Sequence, residues 1–189
     1  MKHIVLALCA ATWALPAAAQ DLNQAMRTYY QEHLQLWTQD PVIIAALRAQ
    51  NALTSTYSAD QVAALDRNWQ SEVGLPSMPT VEPVLNNATA DFLRQQVEAS
   101  RNRITEVILM DAIGLNVAVT TITSDYWQGD EEKYSATFQV GPDAVHFSNI
   151  ALDESTGHYQ GQISFSVVDP ANGELVGAMT VGVDAELLM

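Results

Sequence analysis

The sequence predicts an α+β fold in which N-terminal helices pack on a five-stranded antiparallel sheet. Apolar residues recur at helical spacing from Leu22 to about Arg101, and from Ile104 onward they form short β-rich runs. Turn sequences separate these runs, as is typical of successive antiparallel strands. One face of such a sheet must be covered, and the helices supply the apolar stripes to cover it.

The first 19 residues have the composition of a cleavable signal peptide. Lys2 opens a polar start, residues 4–15 are almost wholly apolar, and Pro16 to Ala19 supply the small residues of a cleavage site. The apolar run is short for a transmembrane helix, which needs about 20 residues. We expect cleavage near Ala19, a periplasmic or secreted location, and no membrane insertion afterwards. A buried N-terminal helix is the alternative.

Residues 20–103 form the predicted helical segment. Asp40-Pro41 opens a second helix that fades at Asn51, and Ser58 with Gln61 matches the capping box of a third. Three prolines between residues 74 and 83 predict a connector, and a fourth helix is expected over residues 87–101. The first helix carries an apolar stripe of Leu22, Met26, Tyr29, Tyr30, His33 and Trp37.

Residues 104–189 form the predicted sheet, which joins residues 20–103 in one domain. Residues 111–114 and 169–173 have turn compositions, the second containing Pro170 and Gly173. The predicted strands are residues 104–110, 115–122, 145–151, 159–168 and 175–183.

Composition excludes several kinds of site. Cys9 is the single cysteine and leaves with the signal peptide, so no thiol nucleophile, thiolate metal site or disulfide is expected. Loss of Lys2 leaves seven of the eight basic residues against 22 acidic ones. A phosphate backbone would be repelled, and we expect no binding to nucleic acid.

The segment from Thr123 to Tyr134 interrupts the predicted sheet with three aromatic and four acidic residues. Asp130 is placed to cap a short helix, with two glutamates in its first turn. Aromatic walls and fixed carboxylates suit a pocket for a small polar or cationic ligand. The alternative is that Tyr126 and Trp127 fill the core and the acids only begin the helix.

The run TSDYWQGDEEKY resembles the Cache sensor domains, also called PDC or PAS-like extracytoplasmic domains. MDAIGLNVAVT before it, and DEST and VGAMTVGVDAELL after it, add to this resemblance, as do DPVIIAALRAQN and LDRNW near the N-terminus. It covers roughly residues 40–188. It implies a PAS-like sheet that binds a small metabolite against its bordering loops and helix.

By this resemblance, Tyr126, Trp127 and Asp130 border the pocket, and Asp153 lies across from them. Members that bind amino acids place an Arg just before a Trp-Tyr pair, whereas here Tyr126 precedes Trp127 and no Arg lies nearby. The resemblance therefore gives no support for an amino-acid ligand. The candidate ligand-binding residues are Asp125, Tyr126, Trp127, Asp130, Lys133, Tyr134 and Asp153.

The sequence favours a binding domain over an enzyme. Members of the family usually sit between transmembrane helices ahead of a signalling module, and this sequence ends at Met189. We expect a stand-alone exported domain for signal transduction. It would present its bound metabolite to a membrane-bound receptor, kinase or transporter. An envelope structural or interaction protein without a ligand is the first alternative.

A hydrolase is the second alternative. His146 or His158 would need a serine partner such as Ser148 or Ser155, yet no Gly-x-Ser-x-Gly elbow is present. No His-Glu-x-x-His or calcium-loop motif occurs either, although Asp125, Asp130 and Asp153 would suit calcium if they converged. We expect no catalytic residue, no cofactor and no metal.

Overall fold

The structure is a computed structural model that describes residues 17–153 and 158–189. The proposed signal peptide lies outside the described residues apart from its last three, with which the first helix begins. Its cleavage stays a prediction. Within the described ranges, no helix combines the length and the apolar character needed to cross a membrane.

The first helix, α1 (Ala17–Tyr29), changes pitch at its end. A π turn follows over Tyr30–Leu34, and a 3₁₀ turn follows over Gln35–Gln39. The wider π turn shifts the phase of the apolar stripe, so Leu34 is buried and His33 is exposed. His33 is thus not in the core, although its ring still contacts that of Tyr29, with centroids 4.8 Å apart, at the boundary of the stripe.

Local capping places the next helices where the sequence predicted them. Helix α2 (Pro41–Thr54) begins after Asp40, whose carboxylate accepts the Val42 N–H at 2.8 Å. Helix α3 (Ala59–Glu72) begins with both bonds of the capping box between Ser58 and Gln61. A one-turn helix, α4 (Glu82–Leu85), and helix α5 (Ala88–Ala99) complete this segment.

The strands form one antiparallel sheet, which confirms the predicted α+β fold and is consistent with a PAS-like arrangement. Their order is β2-β1-β6-β5-β3, with β4 also paired to β5. The predicted third strand is in fact two short strands that share this neighbour. The strands are β1 (Ile104–Asp111), β2 (Asn116–Val119), β3 (Val145–Phe147), β4 (Ala151–Asp153), β5 (His158–Val168) and β6 (Leu175–Asp184).

The two faces of the sheet carry separate apolar clusters. Leu109, Phe165 and Met179 belong to a cluster that includes residues of α1, α2 and α5. On the other face, Ile108 and Met110 join a cluster that includes Trp69 of α3. A short helix, α6 (Glu132–Ser135), adds Tyr134 to this second cluster. The second cluster covers the sheet near the β1–β2 turn, whereas Leu152 of β4 and Tyr159 of β5 are exposed.

The turn between β5 and β6 is tied to α2. The buried Asp169 carboxylate accepts the Ala171 N–H at 2.9 Å and pairs with Arg48 of α2. The donated N–H, together with Arg48, lowers the pKa of Asp169. Gly173 has a φ of 74°, as the predicted turn requires.

Gly177 of β6 lies close both to the backbone of β1 and to a side chain of α2. A Cβ atom there would lie 2.3 Å from the Met110 carbonyl oxygen and 2.6 Å from the Leu47 side chain. We expect Gly177→Ala to lower the free energy of unfolding by about 1–3 kcal/mol, because the backbone oxygen cannot move aside. Urea denaturation measures this change.

Gly161→Ala is the matched control in β5. Its added Cβ would meet the Met26 sulfur at 2.8 Å, and that flexible side chain can rotate away. Equal losses in both variants would contradict the prediction that the Met110 backbone leaves no room for a side chain at position 177.

Candidate ligand-binding cleft

A cleft of about 550 Å³ lies between α2, α3 and α4, with the start of α5 and strand β2 completing its wall. This volume is within the range of small-molecule sites in proteins. Most of the lining side chains are small or apolar, among them Ala46, Leu53, Leu65, Val84 and Val117.

The polar groups of the cleft wall are largely engaged within the protein. The Asn87 side-chain amide donates to the carbonyls of Pro83, Val84 and Val117, and its oxygen accepts the Ala90 N–H at 2.8 Å. The Thr80 hydroxyl donates to Glu72 at 2.7 Å. Apart from Tyr126, none of the described residues that line the cleft is ionisable.

Tyr126 forms part of the inner wall. Its ring stacks on the Trp69 indole, with centroids 5.2 Å apart and planes inclined by 2°. Burial raises the pKa of Tyr126, and a side-chain hydrogen bond from Gln50 acts in the opposite direction. Gln50 also lines the cleft, so its amide and the neutral phenol are the polar groups at this end.

Asp111 lies behind that end of the cleft, at the close of β1. One carboxylate oxygen accepts the N–H groups of Ile113 and Leu115, each at 2.9 Å, and the other accepts the Thr54 hydroxyl at 2.8 Å. Burial raises the pKa of this carboxyl group despite these hydrogen bonds. Asp111 therefore joins α2 to the turn between β1 and β2.

Trp127 and Tyr134 bind the same turn from its other side. The Trp127 indole N–H donates to the Ile113 carbonyl, and the Tyr134 hydroxyl donates to the Ala112 carbonyl, each at 2.8 Å. Burial raises the pKa of Tyr134, and the negative charge of Asp111 raises it further. These two aromatic side chains therefore attach their segment to the β1–β2 turn.

Gly129 makes room for the Trp127 ring. A Cβ atom at position 129 would lie 2.4 Å from the indole nitrogen. Gly114 has a φ of 86°, and a Cβ atom there would lie 2.7 Å from the Gly129 Cα atom.

The charged candidates lie outside the cleft. The Asp125 carboxylate accepts from Gln70 of α3 at 2.8 Å, and Lys133 pairs with Glu131 at 3.1 Å. Asp130 is exposed and does not cap α6, which begins after Glu131 without a side-chain cap; that capping prediction was wrong. Asp153 ends β4, and its side chain lies outside the described residues.

Among the predicted site residues, Tyr126 alone lines the cleft, and the described side chains of the others are not brought to it. The candidate histidines are also separated. His146 of β3 lies opposite Ser164 of β5. His158 is at the start of β5, six residues before Ser164, so the two histidines are roughly 20 Å apart.

Asp66 and Trp69 of α3 are the important residues that sequence reasoning missed. One Asp66 oxygen accepts the N–H groups of Tyr126 and Trp127, at 2.9 and 3.0 Å. The Trp69 indole donates to the Thr123 carbonyl at 2.8 Å. Trp69 is fully buried, and no local sequence pattern joins α3 to a segment 54 or more residues away.

Removing the Asp66 carboxylate tests this attachment. Asp66→Ala leaves two backbone N–H groups without their acceptor, and we expect a loss of about 1–3 kcal/mol in unfolding free energy. Amide hydrogen exchange at Tyr126 and Trp127, followed by NMR, should also accelerate.

Asp66→Asn is the control, because it keeps an acceptor oxygen of the same shape. It should retain most of the exchange protection. Unchanged exchange in Asp66→Ala would refute the role of this side chain in holding α3.

A pH series tests the burial of Asp111. Since its folded-state pKa is raised, the stability it contributes is present below its unfolded pKa and is lost as pH rises through the folded value. The Asp111→Asn variant cannot ionise at this position. Its free energy of unfolding, relative to that of wild type, should therefore increase from acidic to neutral pH. Urea denaturation at several pH values measures this difference, with exposed Asp130→Asn as the control. A difference that stays flat with pH would contradict the prediction.

Comparison with known proteins gives weak global similarities. No family model matches the chain, and no curated protein matches it. The sensor domain of the Vibrio cholerae histidine kinase DctB is 13% identical, covers 91% of this chain and 55% of its own, and has a TM-score of 0.48.

Two chemoreceptor domains are similar to the same extent. The Pseudomonas aeruginosa amino-acid chemoreceptor PctC, in complex with GABA, is 20% identical with a TM-score of 0.42, over 77% of this chain and 58% of its own. The Campylobacter jejuni chemoreceptor Tlp3, in complex with 4-methylisoleucine, is 17% identical with a TM-score of 0.39, over 80% and 64%. The chain thus spans less than two thirds of each. The first is described as a sensor domain of a histidine kinase, and the other two as ligand-binding domains of chemoreceptors.

Proposed function

We propose that this chain is a sensor-type binding domain whose ligand occupies the cleft between α2, α3 and α4. The observation that carries the proposal is the cleft itself: about 550 Å³, walled by apolar side chains, with Gln50 and Tyr126 at its inner end. The ligand is a small, uncharged and mainly apolar molecule. The resemblance to Cache sensor domains supports a binding role of this kind.

The charge of the wall is the reason for an uncharged ligand. A bound carboxylate or phosphate would find no Lys or Arg among the described lining residues, and the acidic protein would repel it. A bound ammonium group would find no carboxylate on the wall. Asp111 lies behind Gln50 and already accepts three hydrogen bonds. Burying an unpaired charge there would cost more than the apolar contacts return.

The ligand would contact two parts of the structure that meet at the cleft. Leu65 of α3 and Tyr126 both line it, and Asp66 bonds the backbone of Tyr126. A ligand between them would fix the position of α3. We propose that a membrane-bound receptor, kinase or transporter recognises this loaded form in the periplasm, as the sequence resemblance implies.

Two variants on one helix test the cleft. Ala49 and Ala45 are both exposed on α2, but only Ala49 lines the cleft. A thermal-shift screen of the mature chain should find stabilising compounds among neutral apolar molecules and not among amino acids or dicarboxylates. A ligand at 100 times its dissociation constant adds about 2.7 kcal/mol of stability.

Ala49→Phe should fill the cleft and weaken the compounds found by about tenfold or more, whereas Ala45→Phe should bind them as wild type does. Equal binding by both variants, or a preference for charged compounds, would overturn the proposal.

An interaction protein without a ligand is the second candidate, because Trp127 and Tyr134 are occupied by contacts within the chain. It would be favoured if no compound stabilises wild type and Ala49→Phe leaves recovery of a membrane partner unchanged.

A further inference from the structure

A cluster of three potential metal ligands lies at the far end of the sheet from the β1–β2 turn. His158 begins β5, Asp184 ends β6, and Glu186 follows in a 3₁₀ turn (Glu186–Leu188). Antiparallel pairing of β5 with β6 brings Gln160 opposite Asp184, so the two strand ends lie side by side. One ligand atom from each residue lies within 4.8 Å of the others.

We propose that His158, Asp184 and Glu186 bind a divalent transition-metal ion of the Zn²⁺ class. The His158 Nδ1 atom lies 2.8 Å from Asp184 Oδ2 and 4.0 Å from Glu186 Oε2. Ligand atoms around a tetrahedral zinc ion, at bond lengths near 2.1 Å, are about 3.4 Å apart. The observed separations bracket that value, so small rotations of the exposed His158 and Glu186 side chains bring all three atoms to the ion.

The Asp184 carboxylate is already oriented for this role. The residue is 5% exposed, and its Oδ1 atom accepts the N–H groups of Glu186 and Leu187 at 3.0 and 3.3 Å. These bonds direct Oδ2 toward His158. A carboxylate that hydrogen bonds already hold in place loses little conformational freedom when it binds a metal ion.

An adjoining cavity of about 420 Å³ gives the ion room for a further ligand. His158 and Asp184 line this cavity together with Asn102, Thr105 and Gln160. The Thr105 hydroxyl is buried and has no hydrogen-bond partner among the described residues. A metal-bound water in the cavity would supply a partner for this hydroxyl. The unpartnered hydroxyl is thus an observation independent of the three ligands.

The ligand chemistry selects the metal class. One imidazole with two carboxylates suits zinc and its neighbours, whereas calcium takes six to eight oxygen ligands. The surrounding charge also favours a cation, because acidic residues outnumber basic ones by 22 to 8 over the whole sequence. A His–Asp hydrogen bond without metal is the alternative arrangement.

Calorimetric titration with zinc chloride tests the site on metal-stripped mature chain carrying no polyhistidine tag. We expect one Zn²⁺ per chain, with affinity falling about 10- to 100-fold or more in His158→Gln and in Glu186→Gln. Asp184 is left unchanged, because its other oxygen holds the following turn. His146→Gln is the matched control, since among the described residues His146 pairs with one carboxylate, that of Glu132 at 3.9 Å, and belongs to no cluster of three ligands.

The proposal is upheld if wild type and His146→Gln bind one ion and both ligand variants are weakened. It is overturned if wild type binds no Zn²⁺, if either ligand variant binds as tightly as wild type, or if His146→Gln loses the ion. Histidine imidazole NMR signals add a direct readout: only the His158 resonances should shift on titration. Neither result depends on ligand binding in the cleft, so the two proposals fail independently.

Discussion

The surrounding structure depends on the hydrogen bonds that the buried Asp111 carboxylate accepts. It accepts hydrogen bonds from the turn that follows β1 and from Thr54 near the end of α2. Trp127 and Tyr134 then bind carbonyl groups of that same turn. A charged group at zero exposure is stable only when such partners surround it. Asp111 therefore fixes the turn to α2, and Trp127 and Tyr134 fix the aromatic segment to the same turn.

This arrangement explains why the cleft lies beside the aromatic segment and not within it. Trp127 and Tyr134 face the β1–β2 turn, where their polar atoms find carbonyl acceptors. Tyr126 points the other way, stacks on Trp69 and reaches the cleft. Alternation along the chain places adjacent aromatic residues on opposite sides. One aromatic side chain therefore serves the candidate site while its neighbours support it.

The features that the sequence could predict are local. Asp40, Ser58 and Gln61 act within three residues of their partners, and the turn at Asp169 is likewise formed by neighbours. Strand periodicity also located most of the sheet. The split of the third predicted strand was missed because Phe147 and Ile150 flank Ser148 and Asn149, two turn-forming residues at which the chain leaves regular pairing.

The candidate sites were beyond such reasoning because their residues are distant in the chain. The cleft combines residues from Ala46 to Tyr126, and the β1–β2 turn uses the aromatic side chains that composition alone assigns to a ligand. His158 and Asp184 meet only through the register of β5 with β6. The turn and the hydrophobic pattern set that register, but it also shifts between Val167 and Val168, and a slip of one residue would separate the two side chains.

The outer strands of the sheet have a consequence for how the protein behaves at high concentration. Exposed strand edges invite pairing between molecules, and long flat edges are the most prone to it. Here β2 has four residues, and β3 and β4 have three each. At the β2 edge, the Asn87 side-chain amide also donates a hydrogen bond to the Val117 carbonyl. Both borders of the sheet thus offer too few free backbone groups for a second molecule to extend it.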